Sequence, residues 1–586
     1  MEEKLNQIKF ITEEISKICE GEVESSPEIL EKYSTDASLF KIKPEVVVFP
    51  KHSKDISELV KWVSLNKSKY PDLSLTVRAA GTCMAGGPLN TSIILDTTKY
   101  MNKIISVENT DIKQMKPMFP GSASVNVSGR VVVEPGCFYR DFEKAVGEKG
   151  LLLPSFTASK SINAVGGMVG NNSAGELTLR YGKTEDYIAE LSFIFEDGNE
   201  YTLKPISKSE LESKMSQSNF EGSLYKKIFD LIDQNKDEIN SSKPQVSKNS
   251  AGYTIWNVWN DSFGEEVFDL PKLIAGSQGT LGIVTKITFN LVEIPKASKL
   301  LVVFLNDLSI LGNLVYELKA LNPQSIESYD DKTFGLAMKF FGDFVKQKGF
   351  WGSIKFGLSF LPEFFMVISG GVPKLILLIE FSGNDEKDIQ QKCLDAQNKV
   401  SHFKLKTRIT RSIAEADKYW AMRRDSFALL RKHVKGMRTA PFIDDIVVNP
   451  ECLPEFLPKL NNLLDDYPYL VYTIAGHAGN GNFHIIPLVD MNDERIIPTI
   501  LELSDKVYDL VAEYKGSITA EHNDGIIRTP YLNKMYSQKM LSIFEDVKNI
   551  FDPKNIFNPG KKVGTTKDDI VKYLAPPDHP HTKHTS

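Results

Sequence analysis

Apolar positions along this chain follow two rhythms, and the switches between them mark out its elements. From Ser53 to Asn66 (SKDISELVKWVSLN), Ile56, Leu59, Val60 and Val63 fall on one stripe at helical spacing, with Ser53 placed to cap the start. Before it, residues 44–50 (PEVVVFP) form a short apolar run bounded by prolines, which predicts a buried strand. Residues 1–40 read as helices with acidic faces. Residues 374–381 (KLILLIEF) read as a core strand. In the helical pattern IAEADKYWAMRRDSFALLRKHV, the residues Trp420, Phe427, Leu430 and Val434 make one stripe, and Arg423 sits in it. Arg424, about 100° further round, is expected to be solvated.

Three stretches break both rhythms with small residues. Residues 75–96 (LTVRAAGTCMAGGPLNTSIILD) predict strand, small-residue loop and strand. Exposed backbone N–H groups in such a loop can cradle a pyrophosphate, but a Rossmann loop would lead into a helix and this one leads into Ile93, Ile94 and Leu95. Residues 151–182 place Gly166, Gly167, Gly170 and Gly175 among Asn171, Asn172 and Ser173, which leaves little apolar surface to bury and points to a flat or phosphorylated ligand. Residues 272–289 (KLIAGSQGTLGIVTKITF) read as strand, glycine turn, strand.

A chain of 586 residues exceeds one ordinary core, so two or three domains are expected. A net charge of -6 supplies no basic excess for phosphates and argues against a nucleic-acid partner. Cysteines 19, 83, 137, 393 and 452 are odd in number and form no CxxC pair, which fits a reducing cytosol. The start, MEEKLNQIKF, lacks the apolar core of a signal peptide, so export is not expected. The aromatic segment 340–378 is interrupted by lysines, glycines and Pro362, so it does not make a bilayer span. It is expected to cap the active site, with peripheral contact at the inner face of the membrane as the alternative.

The densest chemistry lies at residues 472–487, YTIAGHAGNGNFHIIP. Apolar β-prone residues flank a turn at Gly479, Asn480, Gly481 and Asn482, so the chain folds back and His477 and His484 converge. Two imidazoles suit a first-row divalent ion such as zinc, and Glu521 in SITAEHNDGIIR offers the carboxylate an open site wants. Outside the tail, the chain has six histidines, and three of them, His477, His484 and His522, fall in these two segments. Arg423 is costly facing inward unless paired, and its partner is either a substrate carboxylate or a buried structural acid.

These motifs in this order (RAAGTCMAGG, SINAVGGMVGNNSAG with RYG, GSQGTLGIVT, HAGNGNFH, AEHNDG, FDPKNIFNPGK) resemble the FAD-linked D-2-hydroxyacid dehydrogenases. This is the D-lactate dehydrogenase and glycolate oxidase branch of the vanillyl-alcohol oxidase superfamily, and the resemblance covers residues 30–565. It implies an α+β chain with a two-part FAD-binding domain of PCMH type (1–295) and an antiparallel-sheet cap of the FAD-linked oxidase C-terminal type (296–545). Residues 546–565 would return to the first domain, and residues 566–586 would form a disordered polar tail.

By the same resemblance, Ala79, Ala80, Gly81, Thr82, Cys83, Met84, Gly86 and Gly87 would line the pyrophosphate of a non-covalent FAD. Pro154, Thr157, Gly166, Gly167 and Ser173 would line the flavin's other side, with Gly279, Thr280, Leu281, Gly282, Ile283 and Val284. His477, His484 and Glu521 match metal ligands, zinc or manganese, and His522 matches the catalytic base; the W-x-x-R pattern assigns Arg423 to a substrate carboxylate. The chain departs from the family at Ala79, Ala80, Gln278, Asn480 and Asn523. The reaction implied is oxidation of a D-2-hydroxy acid, D-lactate first, with His522 taking the hydroxyl proton and hydride passing to flavin N5. A quinone or electron-transfer protein would accept the electrons, and the protein would be cytoplasmic or peripheral to the membrane. Two rivals share these loops: a non-catalytic flavin-binding subunit, which would not need the histidine and glutamate set, and a transferase of the alkyl-dihydroxyacetone-phosphate synthase type, whose histidine run is absent here.

Overall fold

The computed structural model describes residues 2–115, 125–262, 265–333, 335, 371–433 and 437–576. Residues 340–370 of the aromatic segment, Val434 and residues 577–586 lie outside the described residues.

The apolar run after Pro44 becomes strand Val46–Phe49, buried at every position, and it pairs in parallel with Ile93–Asp96, which pairs in parallel with Leu75–Arg78. Glu22–Glu24 closes the opposite edge antiparallel to Val46–Phe49. Helix Ser53–Asn66 packs its stripe of Ile56, Leu59, Val60 and Val63 on this sheet against Val46, Val48, Ile93 and Leu95. Full burial of each such side chain is worth about 1.5–3 kcal/mol, which fixes the helix on the sheet. The helix is capped by His52, whose ring accepts from the Asp55 N–H, and not by Ser53; that hydroxyl donates to Glu200 instead.

A second, antiparallel sheet runs in the order Ile104–Met115, Val125–Val133, Ile283–Glu293, Ile188–Ile194, Glu200–Leu203. The turn before Ile283–Glu293 differs from its sequence expectation. Pro271–Ile274 is a short helix with proline at its start, not a strand, because proline's fixed φ suits the first helical turn.

The other half of the chain is a seven-stranded antiparallel sheet. Its order is Lys406–Ile409, Ala297–Leu305, Leu375–Gly383, Ser325–Asp330, Ile474–His477, Asn482–Ile485, Ile446–Val447. Both faces are covered. Leu301, Val303 and Leu305 join the main core, whereas Leu300, Val302 and Phe304 pack with Tyr419, Trp420 and Met422 of helix Ile413–His433. That helix therefore carries Arg423 over the sheet face that bears His477.

Residues 552–562 lie against the first half. Asn558 donates to the Gly87 and Gln278 carbonyls and accepts from Thr76, and Lys561 donates to the Leu89 carbonyl. Residues 566–573, expected in a disordered tail, are ordered. Thr566 and Asp569 form a capping box that starts helix Lys567–Tyr573, and Ile570 is buried beneath it.

Candidate active site

The hairpin forms as its pattern dictates. Ile474–His477 pairs antiparallel with Asn482–Ile485, with Ala475 opposite His484 and His477 opposite Asn482. Gly481 closes the turn at φ +70°, and a Cβ there would sit 1.9 Å from the Val448 carbonyl oxygen, so only glycine fits. The two imidazole centroids stand 5.3 Å apart. Glu521 Oε1 lies 3.3 Å from His477 Nε2 and 3.2 Å from His484 Nε2. The three donors converge.

Two acids that the sequence reading missed aim these rings. Glu327, fully buried on strand Ser325–Asp330, accepts from His477 Nδ1 at 2.7 Å and holds the Arg423 guanidinium with its other oxygen. Asp444, also fully buried, accepts from His522 Nδ1 at 2.7 Å and from His484 Nδ1 at 3.3 Å. All three histidines thus have Nδ1 committed to a carboxylate and Nε2 turned into the cluster, the arrangement that fixes a ligating or basic imidazole. Burial opposes it, but His522 and His484 hold the Asp444 carboxyl well below the ordinary range.

Next to Asp444, Asp445 builds the loop that presents Glu521 and His522. Its Oδ2 accepts from the backbone N–H of Ala520, Glu521 and His522 at 2.9, 2.8 and 2.7 Å and from the Thr519 hydroxyl at 2.7 Å. The segment is a bend and not extended, so Glu521 and His522 both face the cavity; opposed directions, expected of neighbours on a strand, do not apply. Asp445, His484, Glu521 and His522 also bring donor atoms within 4.8 Å of one another. Asp445 Oδ2 is already taken by three backbone N–H groups and the Thr519 hydroxyl, its Oδ1 accepts from Asn482, and His522 Nε2 stands 4.0 Å from Glu521 Oε1, beyond both other imidazoles. His477, His484 and Glu521 are the tighter set.

Lys248 completes the cluster from behind. Its fully buried ammonium lies 3.1 Å from Glu521 Oε2 and 3.4 Å from the Gly175 carbonyl and Asn482 Oδ1. Burial works against ionisation of Glu521, yet Lys248 and His477 hold its carboxyl well below its ordinary value. Burial would likewise lower His484, but Asp444 and Glu521 push it up to about 10. The cluster is a carboxylate-rich pocket that attracts positive charge, and its donor set fits a divalent cation.

A single cavity of about 390 Å³ joins this cluster to the small-residue loops. Ala79, Ala80, Gly81, Thr82, Cys83, Met84 and Gly87 line it, with Thr157, Gly166, Gly167 and Ser173 and with Gly279, Gly282 and Val284. Arg423, His477, His484, Glu521 and His522 line its other part. Bare backbone borders the space: a Cβ at Gly170 would meet nothing within 4 Å, and one at Gly167 would meet only Ala79 Cβ, at 3.5 Å. Such a cradle fits a flat, phosphate-bearing cofactor.

Five residues expected at the cofactor do not line the cavity. Gly86 faces Phe40 and Ile526, where a Cβ would lie 2.7 and 3.1 Å from their side chains. Pro154 is buried away from it. Thr280 turns its hydroxyl to Tyr253 and the Ser277 carbonyl. Leu281 and Ile283 are buried in the two cores, because alternate residues entering a strand point to opposite faces and Gly282 and Val284 take the cavity side. Arg424 is exposed, as expected, and it also borders the cavity and pairs with Glu176 at 2.6 Å across the junction of the two halves.

With this geometry in view, comparison with known proteins adds six observations. A family model described as "FAD binding domain" matches residues 44–204, and one described as "FAD linked oxidases, C-terminal domain" matches residues 294–562. The D-2-hydroxyglutarate dehydrogenase of Escherichia coli (strain K12) is 27% identical over 537 residues, covering 90% of this chain and 49% of the relative. The D-lactate dehydrogenase of Anaerostipes hadrus is 25% identical over 560 residues, covering 94% of this chain and 96% of that one. The chain thus spans about half the length of the first relative and nearly all of the second. Among solved structures, 4-ethylphenol oxidase from Gulosibacter chungangensis aligns with TM-score 0.64 at 14% identity over 97% of this chain and 98% of that one. Alkyldihydroxyacetonephosphate synthase aligns with TM-score 0.61 at 15% identity over 92% and 83%. These two likenesses concern the fold alone.

Proposed function

Because the chain belongs to the FAD-linked oxidases with a PCMH-type FAD-binding domain, we propose that it oxidises a D-2-hydroxy acid to the 2-oxo acid, with D-lactate as the substrate. One observation carries this reading: the glycine-lined cradle and the cluster of His477, His484, Glu521, His522 and Arg423 border the same cavity. When bound, FAD supplies the two-electron acceptor, and a divalent ion, zinc or manganese, held by His477, His484 and Glu521 supplies a Lewis acid at the substrate hydroxyl.

The chain's own residues do the rest. Arg423, kept in place by Glu327, receives the substrate carboxylate. His522 takes the hydroxyl proton at Nε2, since its Nδ1 donates to Asp444. Asp444 then faces the imidazolium that results, and against burial the Asp445 and Asp444 carboxylates favour that charged ring. His522→Ala is expected to keep the cation and slow single-turnover flavin bleaching by roughly 100-fold. Bleaching at the wild-type rate would remove His522 from this role.

D-2-hydroxyglutarate is the second reading, favoured by the Arg424 guanidinium at the cavity wall, which could meet a second carboxylate. Dye-reduction rates across D- and L-2-hydroxy acids decide between them. Preference for L-acids, or no turnover of any 2-hydroxy acid, would sink both. For the electrons, we propose a quinone or an electron-transfer protein as acceptor and not NAD. Rapid mixing of the substrate-reduced protein with NAD should leave the flavin reduced. Among the described residues, no helix is long and apolar enough to cross a membrane.

The cofactor is proposed to be non-covalent. Cys83 is the thiol in the cradle, and burial pushes it up to about 11, which keeps it protonated and a poor nucleophile at neutral pH. Acid precipitation should release yellow cofactor to the supernatant; colour retained in the pellet would show a covalent link.

A further inference from the structure

Lys248 has no part in the reaction outlined above, yet its buried ammonium contacts Glu521 directly. Its side chain is fully buried, and its three partners belong to three separate pieces of the molecule: the Gly175 carbonyl in the cofactor cradle, Asn482 in the histidine hairpin, and Glu521. The two oxygens of Glu521 are divided by it. Oε1 faces His477 and His484 at 3.3 and 3.2 Å, and Oε2 faces the ammonium at 3.1 Å.

Resting on the cation site proposed above, we propose that Lys248 is a positioning residue for Glu521, holding Oε2 so that one oxygen alone is presented to the cation and lowering that cation's affinity by its own charge. The sign distinguishes this from support of the fold. A carboxylate behind a ligating histidine, as Glu327 is behind His477, makes the ligand a stronger donor, and its loss weakens metal binding. An ammonium on a ligating carboxylate does the opposite. It draws charge away from the ligand and repels a dication across a short, water-poor distance. A cation held less strongly by its glutamate remains a stronger Lewis acid toward the substrate hydroxyl, which is the use such a lysine serves.

The test is equilibrium binding of manganese, read by calorimetry, to flavin-loaded and metal-stripped protein. Lys248→Met should bind manganese at least about ten-fold more tightly than wild type, because a like charge has been removed beside the site. Lys248→Arg, which keeps the charge, should stay within about three-fold of wild type. Turnover of the manganese-loaded Lys248→Met protein should fall although its affinity has risen, a split that a structural role would not produce. Cofactor stoichiometry and melting temperature confirm the fold. If Lys248→Met does not fold, Lys248→Gln keeps a donor to Glu521 without the charge and should tighten binding in the same direction. Equal or weaker binding in the neutral variant, or loss of cation and flavin together, overturns the inference. Failure of the underlying site reads differently: wild type would bind no manganese, or His484→Ala would bind it as wild type does.

Discussion

His484→Ala should end turnover with the flavin still in place, and His477→Ala and Glu521→Gln should do the same. Nε2 of His477 and of His484 meet at Glu521 Oε1 in this structure, and all three donors come from a different place along the chain from the cradle that faces them. Loss of one donor therefore removes the Lewis acid without touching the loops at residues 79–87 or 166–175. Lewis-acid polarisation supplies several kcal/mol of transition-state stabilisation, so the fall in turnover should reach about 10³-fold or more. Glutamine suits position 521 better than alanine. Alanine would leave the Lys248 ammonium with only its 3.4 Å contacts to Gly175 and Asn482, and breaking a buried pair costs about 3–5 kcal/mol of stability. Strong chelation of wild type should reproduce the effect, and added manganese or zinc should reverse it. Metal content by mass spectrometry, flavin absorbance and dye reduction together decide. A His484→Ala protein with full metal and full activity would leave the proposed site without support.

The parts of this molecule legible in its sequence are those with a local rhythm or a crowded motif. Helix Ser53–Asn66 follows from one apolar stripe, strand Val46–Phe49 from one short run, and the hairpin at His477 and His484 from glycines between β-prone residues. The residues that aim the site carry no such rhythm. Lys248 meets a partner 273 positions away, and Glu327 meets His477 at a distance of 150 positions. Only tertiary structure joins them. A trace was present even so. In PFIDDIVV, two acids sit inside an apolar run, and Glu327 sits in a strand buried at all six positions, so each needed a buried partner. Helix Lys567–Tyr573, expected as disordered tail, left a trace too: threonine and aspartate three apart at Thr566 and Asp569.

Arg423 shows where a single residue supports two readings and the structure keeps both. The sequence posed a substrate carboxylate against a buried acid as its partner. The guanidinium is paired with Glu327, and it also lines the cavity. Glu327 shares itself between that arginine and His477, so the substrate clamp and a proposed metal ligand hang from one carboxylate.

Asp444→Asn should slow the reaction more than loss of the base alone. Asp444 accepts from Nδ1 of both His484 and His522, and the two rings stack with centroids 5.0 Å apart and planes 21° from parallel. An asparagine keeps the volume, but its amide can donate to Nδ1. The amide nitrogen can face only one of the two rings, and it would leave that ring's proton on Nε2, the atom that must bind the cation in His484 or accept the hydroxyl proton in His522; the other ring keeps an acceptor but loses the charge behind it. Removing a carboxylate behind a ligating histidine costs about 10–100-fold in metal affinity or activity. Silencing a general base costs about 10²–10⁴-fold. Both rings lose the carboxylate behind them and one also loses its tautomer, so turnover should drop by roughly 10³-fold or more, beyond the roughly 100-fold expected of His522→Ala. The double variant Asp444→Asn with His522→Ala should be slowed by less than the product of the two single effects, because both substitutions act on the same base. Manganese binding to Asp444→Asn should weaken, whereas His522→Ala should bind it as wild type does. If Asp444→Asn is no slower than His522→Ala and holds the cation unchanged, Asp444 serves the base only, and His484 is oriented by other means.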